Sequence, residues 1–140
     1  MESLQQRNIA ATRRWFNDVW NDKKPDAIGA LFAPHGISHG LGDGGQDLAG
    51  PEHFRAFWET IHGAFSGLHL EIEDIMAEGD RVACRWTVCG THSGDGMGLP
   101  ATGKPFEVGG MSFTRFEEGM IVESWNSWDV PGLMRQLSAE

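Results

Sequence analysis

The chain has 140 residues, of which 40% are hydrophobic and 22% charged, and its formal net charge is −9. This length and composition are typical of one globular domain, residues 1–140, with a core of its own. Eleven basic side chains are scattered among twenty acidic ones, which argues against nucleic acid as a partner because duplex binding needs clustered Lys and Arg. No apolar run reaches the roughly 18 residues of a membrane span, and MESLQQRN lacks the form of a signal peptide. A cytoplasmic protein is therefore expected, without a membrane partner.

Helical patterns come first along the chain. Apolar residues recur at helical spacing over residues 4–21, which predicts the first helix. A short second helix is predicted to start at Pro25 and to end at Pro34. Pro51 opens a third helix, in which apolar residues stand at i, i+3, i+4, i+7 and i+11: Phe54, Phe57, Trp58, Ile61 and Phe65.

A short strand over Ile37–Leu41 and a glycine-rich loop, GDGGQDLAG, are predicted between the second and third helices. The loop has no lysine and no Gly-Lys-Ser/Thr ending, so it does not fit a phosphate-binding loop. We interpret it as a mobile loop at the entrance of a site.

Beyond Gly67 the apolar period changes to two, which predicts strands. Leu68, Leu70 and Ile72 alternate, and the next apolar residues take the opposite phase. A slip of one residue inside a strand predicts a β-bulge. Turns at Glu78–Asp80 and at Glu118-Gly119, with a glycine-rich connection over residues 92–104, separate four strands. The expected fold class is α+β, with three N-terminal helices packed on a curled antiparallel meander.

The last strand, Met120 to about Trp128, has large aromatic and polar side chains on both faces. Alternate side chains of a strand point to opposite sides. One face is predicted to carry Val122, Ser124, Asn126 and Trp128, and the other Ile121, Glu123, Trp125, Ser127 and Asp129. We expect one face to line a cavity and the other to form an interface.

These elements, taken in order, resemble the SnoaL-like polyketide cyclases, of the superfamily that includes ketosteroid isomerase, scytalone dehydratase and limonene epoxide hydrolase. The similar segments follow one another along nearly the whole chain: ALFAP, GPEHFRAF, AEGDRVACRWTVCGTHSG, GLPATGK, RFEEGMIVESW and LMRQL. The resemblance implies a cone-shaped sheet, an apolar pocket between sheet and helices, no metal or cofactor, and a homodimer formed through the sheet. The implied activity is that of a lyase or isomerase acting by proton transfer on a hydrophobic carbonyl compound.

The resemblance also assigns positions to the polar residues of the family's site. The aspartate that serves aromatic-polyketide cyclases as general acid and base falls at Asn126, and the histidine and glutamine of the neighbouring strand fall at Ser112 and Gly110. An amide cannot shuttle a proton as a carboxylate does, although it can orient a carbonyl or enol. The epoxide hydrolases' Arg and Asp fall at Trp86 and Val88. The chain has no tyrosine, the residue with which ketosteroid isomerase and scytalone dehydratase polarise their substrates.

Two residues are candidates for catalysis. Asp129 is the carboxylate nearest to the expected site, and its alternative role is to cap a helix over Pro131–Leu137. His39 follows the short strand beside the glycine-rich loop, where relatives often carry a pocket histidine; a surface position is the open alternative. The residues expected to bind the substrate are Asn126, Ser112, Trp86, Phe57, Trp20 and Trp128.

Two functions remain open at this point. The first is a polyketide cyclase-type enzyme without cofactor, and the second is a small-molecule binding protein that has lost the acid/base aspartate. Arg85, Thr87 and Trp125 are expected to face outward and to form a dimer interface. The remaining histidines are dispersed, and Cys84 and Cys89 fit neither a disulfide nor a metal site, so no metal is expected.

Overall fold

A helical layer comes mainly from the first half of the chain. The computed structural model describes residues 2–138, without the side chain of Asp43. Its helices are α1 (Leu4–Arg14), which continues as a π-helix (Trp15–Asn21), α2 (Asp26–Leu31) and α3 (Gly50–Ala64). The Ser3 hydroxyl accepts a hydrogen bond from the Gln6 N–H, and the Gln6 side chain accepts one from the Ser3 N–H, so a capping box starts α1. The helix predicted over residues 4–21 is confirmed, and its last seven residues, Trp15–Asn21, form the wider turns of a π-helix.

One sheet contains the six strands of the described residues. They are β1 (Phe32–His39), β2 (Leu48–Ala49), β3 (Phe65–Glu78), β4 (Arg81–His92), β5 (Pro105–Glu117) and β6 (Met120–Trp128), in the spatial order β2-β1-β6-β5-β4-β3. The predicted antiparallel meander of β3 to β6 is confirmed. The sheet also contains two strands that the meander did not include, because β1 pairs parallel to β6 and β2 pairs with β1.

The second helix ends earlier than predicted and β1 begins earlier. α2 ends at Leu31, and Phe32 is already extended. A residue before proline disfavours the helical conformation, so Ala33 is extended and Pro34 lies inside the strand. The register between β1 and β6 shifts between Phe32 and Ile37, which is where a proline without an N–H is tolerated.

Besides a register shift between Ser66 and His69, two further bulges bend the sheet. The register between β3 and β4 shifts between Ile72 and Asp74, as the phase slip in the sequence predicts. A second shift lies at Arg115 and Phe116, whose partners in β6 are Glu123 and Ile121. Because one residue of β6 is extra there, Ile121 is buried at 4% exposure and lines the cavity described below. The prediction that placed Ile121 on the outer face is wrong.

A last helix, α4 (Val130–Ser138), folds back along β5. The Gln136 amide bonds the main chain of Glu107 in both directions, at 2.9 and 3.0 Å, while Leu133 and Leu137 are buried. The helices cover one face of the sheet, and the core between the two layers is rich in tryptophan and phenylalanine. In residues 2–138, no helix has the length and apolar character that crossing a membrane requires.

Candidate functional site

A cavity lies between the sheet and the helices. The centres of water molecules can occupy a volume of about 80 Å³ inside it. The whole free volume between its walls, which includes the open mouth, is about 760 Å³. Its apolar lining comes from the helices and from every long strand: Trp15, Phe16, Trp20, Phe32, Leu41, Phe54, Phe57, Ile61, Leu68, Leu70, Trp86, Val88, Phe116, Ile121 and Trp128. The polar residues of the lining are Thr12, Ser38, Ser112, Thr114, Ser124 and Asn126. Among the described lining residues, none is ionisable.

The π-helix brings three aromatic side chains to the wall: Trp15, Phe16 and Trp20. The Trp58 indole N–H donates to the Val19 carbonyl at 2.7 Å, which ties α3 to the π-helix. The Asn21 side chain bonds the Leu70 main chain in both directions, at 2.7 and 2.9 Å. These bonds hold the aromatic wall against the outer strand of the sheet.

A chain of hydrogen bonds crosses the lining from β4 to β6. The Trp86 indole N–H donates to Ser112 Oγ at 3.0 Å, and the Ser112 hydroxyl donates to Asn126 Oδ1 at 2.7 Å. A Cβ on Gly110 would stand 2.5 Å from the Trp86 ring. Gly110, opposite Trp128 in the register, therefore leaves the space in which the Trp86 indole reaches Ser112.

The Asn126 amide extends this chain to β1. Its Nδ2 donates to Ser38 Oγ and to the His39 carbonyl, both at 3.0 Å, and lies 3.1 Å from Ser124 Oγ. The Ser124 hydroxyl in turn donates to Ser38 Oγ at 3.1 Å. We call Trp86, Ser112, Asn126, Ser38 and Ser124 the cavity network. Its amide is held at both ends, which fixes the direction of the only side-chain amide among the described lining residues.

His39 lies outside the cavity lining. Its Nδ1 is 2.8 Å from Asp47 Oδ1 and its Nε2 is 2.8 Å from Glu123 Oε2. The ring stacks on Trp125, on the outer face of the sheet. The hydrogen bond to Glu123 and then that to Asp47 raise the pKa of His39 above the ordinary 6.5. Of the two positions left open for His39, the structure has the one outside the cavity, because Ser38, its neighbour in an extended strand, takes the inward direction.

Asp129 also lies outside the lining and is exposed. Its Oδ1 accepts a hydrogen bond from the Gly132 N–H at 2.9 Å, and its carbonyl accepts one from the Leu133 N–H at 3.0 Å. This is the geometry of a helix N-cap, so the structure shows the capping role for Asp129 at the start of α4. A Cβ on Gly132 would clash with the Asp129 carboxylate.

All six residues expected to bind substrate line the cavity: Asn126, Ser112, Trp86, Phe57, Trp20 and Trp128. Four polar lining residues were not predicted. Thr114 and Ser124 stand two residues from Ser112 and Asn126, so the strand period could have indicated them. Thr12 lies one helical turn before Phe16. Ser38 depends on the pairing of β1 with β6, which no local pattern indicates.

A wider space lies outside the mouth, with a free volume of about 1790 Å³ that includes open solvent. It shares Leu41, Phe57, Ile61 and Trp128 with the cavity, and the glycine-rich loop forms one of its walls. The loop predicted at an entrance therefore stands beside one. In the part of the chain that the structure describes, no group of three or more His, Cys, Asp or Glu side chains is placed to hold a metal ion.

The chain is similar to known proteins over most of its length. The model of the SnoaL-like polyketide cyclase family matches residues 10–137. Aklanonic acid methyl ester cyclase DnrD of Streptomyces peucetius is 29% identical over 121 residues, which are 86% of this chain and 83% of that protein. The corresponding cyclase DauD of Streptomyces sp. (strain C5) is also 29% identical, over 86% of this chain and 75% of its own.

Solved structures show the same architecture. IdmH from Streptomyces antibioticus has a TM-score of 0.82 at 29% identity, over 94% of this chain and 99% of that one. A SnoaL-like protein from Jannaschia sp. CCS1 has a TM-score of 0.89 over 100% and 97% of the two chains. Its identity of 22% shows the shared fold alone.

Proposed function

Since this chain belongs to the SnoaL-like polyketide cyclase family, we propose that it is a cyclase-type enzyme that binds a hydrophobic carbonyl compound and orients it for ring closure. The observation that carries the proposal is the cavity network, a hydrogen-bonded set of uncharged groups in an otherwise apolar cavity. Cavities of this kind bind apolar molecules and fix their orientation through a few polar groups.

The cavity network has hydrogen-bonding capacity left for a ligand. Ser38 Oγ accepts from Ser124 and from Asn126, so its own hydroxyl hydrogen is not used in the described bonds. The Thr114 hydroxyl, which also faces the cavity, takes part in none of the described side-chain bonds. Ser38 and Thr114 therefore offer hydrogens to a ligand carbonyl, and Asn126 Oδ1 has a second lone pair for an enol hydroxyl.

Ring closure of a carbonyl compound joins a carbon next to one carbonyl to the carbon of another, and a proton must leave the first carbon. The described lining offers no carboxylate or imidazole to take that proton. We therefore assign to the protein the part of holding the enol form, in which that proton has already moved from the carbon to its own carbonyl oxygen, and of bringing the two carbons within reach. On closure the carbon–carbon bond forms as the π bond of the second carbonyl breaks, and the enol hydroxyl proton passes to the oxygen of that carbonyl. Positioning of this kind is worth roughly 7–11 kcal/mol at best. Aromatic walls such as Trp20 and Phe57 exclude water and restrict the chain of the substrate.

A binding and turnover assay tests the proposal. Prodan, a neutral fluorescent naphthalene ketone, should bind with one site per chain and with a blue-shifted emission. Aklanonic acid methyl ester, the compound named for the two Streptomyces relatives, serves as the test substrate, with ring closure followed by chromatography. Ser112→Ala should slow closure, because the Asn126 amide loses a partner. Ser127→Ala, on the exposed face of the neighbouring strand β6, is the matched control.

A second function, binding without catalysis, is favoured by the uncharged lining. Asn126→Asp separates the two functions, because it returns a carboxylate to the place where the cyclases resembled by this chain carry one. Burial and the His39 carbonyl, which accepts from Asn126 in the wild type, should raise the pKa of the new carboxyl above that of an ordinary aspartate. If wild type binds prodan but closes no ring, while Asn126→Asp closes it, the protein is a binding protein. Failure of wild type to bind prodan contradicts both functions.

A further inference from the structure

We propose that His39 is a positioning residue of the cavity: its ring, held between Asp47 and Glu123, fixes the end of β1 that orients the Asn126 amide. This inference rests on the proposed function of the cavity. It goes beyond that function because it makes ligand binding depend on a charged group outside the lining.

The ring is clamped from two different segments of the chain. Asp47 belongs to the glycine-rich loop at the mouth, and Glu123 belongs to β6; each places a carboxylate oxygen 2.8 Å from one ring nitrogen. Carboxylates accept hydrogens and do not donate them. Both bonds are therefore formed only when both nitrogens of His39 carry hydrogen, as in the imidazolium. The stacked Trp125 ring, with its centroid 5.7 Å away, limits movement of the imidazole out of this plane.

The main chain of the same residue reaches the cavity network. The His39 carbonyl accepts a hydrogen bond from Asn126 Nδ2 at 3.0 Å, and the preceding Ser38 accepts a second one through its hydroxyl. The following Gly40 lies so near to β6 that any Cβ there would clash with the main-chain carbonyl of Asn126. A shift of β1 at His39 therefore changes two of the three acceptors of Asn126 Nδ2 at once, the Ser38 hydroxyl and the His39 carbonyl.

The charged groups around the ring decide the direction of the pH effect. Besides Asp47 and Glu123, Arg115 of β5 places a guanidinium nitrogen 3.8 Å from Glu123 and another 3.1 Å from Glu117, which lies 4.0 Å from His35. The two carboxylates on the ring raise the pKa of His39. As pH rises through that raised pKa the proton leaves, one nitrogen becomes an acceptor, and one bond of the clamp is lost. We expect the Asp47 bond to open, since that side chain is 61% exposed and Glu123 only 30%.

The consequence is a ligand affinity that falls as pH rises. The ligand used here, prodan, is neutral throughout the range, so its own ionisation does not contribute. One ordinary hydrogen bond is worth roughly a fivefold change in affinity. Prodan should therefore bind roughly fivefold more weakly once the Asp47 bond has opened. His39→Gln, which has no titrating group, should bind prodan more weakly than wild type and with an affinity that does not change with pH.

The experiment measures prodan affinity between pH 5.5 and pH 9 in wild type, His39→Gln and His69→Gln. His69 of β3 pairs with Glu71 at 3.0 Å; its side chain is exposed and does not line the cavity, so it is the matched control. We expect His69→Gln to keep the wild-type pH profile. The side-chain amide resonances of Asn126, followed by NMR without ligand, should titrate with the midpoint of the His39 ring. A purely structural histidine would not produce that shared midpoint.

The outcomes separate the two proposals. Prodan binding by wild type with a pH-independent affinity overturns the positioning role of His39 and leaves the proposed function intact. Absence of prodan binding at every pH overturns the proposed function, and the amide titration of Asn126 then still decides the role of His39. Asn126 resonances that stay constant while the His39 ring titrates overturn that role, even if His39→Gln fails to fold.

Discussion

A second histidine, His62 of α3, is partly buried, and its two ring nitrogens have no hydrogen-bond partner in the described structure. The centroids of the Trp58 and Trp20 rings are 4.5 and 5.6 Å from that of His62, and both ring nitrogens are buried and unbonded in the described structure. Burial, and then the charge of Lys23, lower the pKa of His62 from 6.5 to about 4. The imidazole is therefore neutral in the folded protein well below the pH at which an unfolded chain protonates it.

We predict that His62 makes folding sensitive to acid. The imidazole of His62 binds a proton near pH 6.5 in the unfolded chain but only near pH 4 in the folded one. The free energy of unfolding therefore falls as pH drops from 6.5 to 4. Above pH 6.5, His62 makes no pH-dependent contribution to it. His62→Phe should reduce the slope, whereas His53→Gln, at an exposed position of the same helix, should keep it. Urea unfolding at several pH values measures the difference. Equal slopes in wild type and His62→Phe would contradict the prediction.

The two histidines act on stability in opposite directions. The raised pKa of His39 means that its clamp stabilises the fold at low pH and that this contribution is lost as pH rises through the folded value. The lowered pKa of His62 gives stability that is complete at high pH and is lost on acidification. The sign in each case follows from the surroundings: two carboxylates at His39, and indole rings at His62.

At the scale of elements, the junction between β6 and α4 depends on Asp129. Its side chain accepts a hydrogen bond from the Gly132 N–H at the first turn of α4. α4 is joined to β5 by the bonds between Gln136 and the Glu107 main chain, and its Leu133 and Leu137 are buried. Loss of an N-cap costs about 1 kcal/mol, while asparagine caps as well as aspartate does. Substitutions of Asp129 by alanine and by asparagine therefore distinguish a helix cap from a catalytic acid.

We predict that Asp129→Ala lowers the free energy of unfolding by about 1 kcal/mol and that Asp129→Asn leaves both stability and ring closure unchanged. Chemical denaturation and the turnover assay measure the two effects on the same samples. Asparagine retains the cap but cannot transfer a proton. An Asp129→Asn variant with full stability and no activity would restore Asp129 to a catalytic role.

At the scale of the whole molecule, the outer face of the sheet exposes large apolar side chains. Met76, Met111, Phe113 and Trp125 are between 41% and 64% exposed. Phe113 and Trp125 contact each other edge to face, with Arg81 above the Phe113 ring. Arg85 pairs with Met111 across β4 and β5, and the Thr87 hydroxyl donates to Glu73. A contiguous apolar patch of this kind is typical of a surface that binds another protein.

We predict a homodimer formed through this face. Met111→Glu should convert it to a monomer, because it places a charge in the middle of the patch, and Leu99→Glu, an exposed apolar residue outside the sheet, should not. Sedimentation velocity at micromolar concentration measures the state. Each chain carries a formal net charge of −9, so added salt should favour association. A wild-type monomer, or a dimer that survives Met111→Glu, would contradict the prediction.

Local sequence patterns determined the elements and the family. The helix of residues 4–21, the bulge near Ile72, the turn at Glu118-Gly119 and the strand Met120–Trp128 each follow from side-chain period or from turn residues a few positions apart. Ser112, which the family resemblance placed on the strand beside Asn126, lies opposite Asn126 in the register of β5 on β6.

Only the tertiary structure decided how β1 joins the sheet. Its parallel pairing with β6 connects residues more than eighty positions apart, and neither strand carries a local mark of its partner. That pairing puts Ser38 into the cavity and turns His39 outward to Asp47 and Glu123. A one-residue difference in a strand reverses the face of a side chain. Whether a histidine meets the cavity or the solvent is therefore decided by long-range register, which the order of residues near it does not determine.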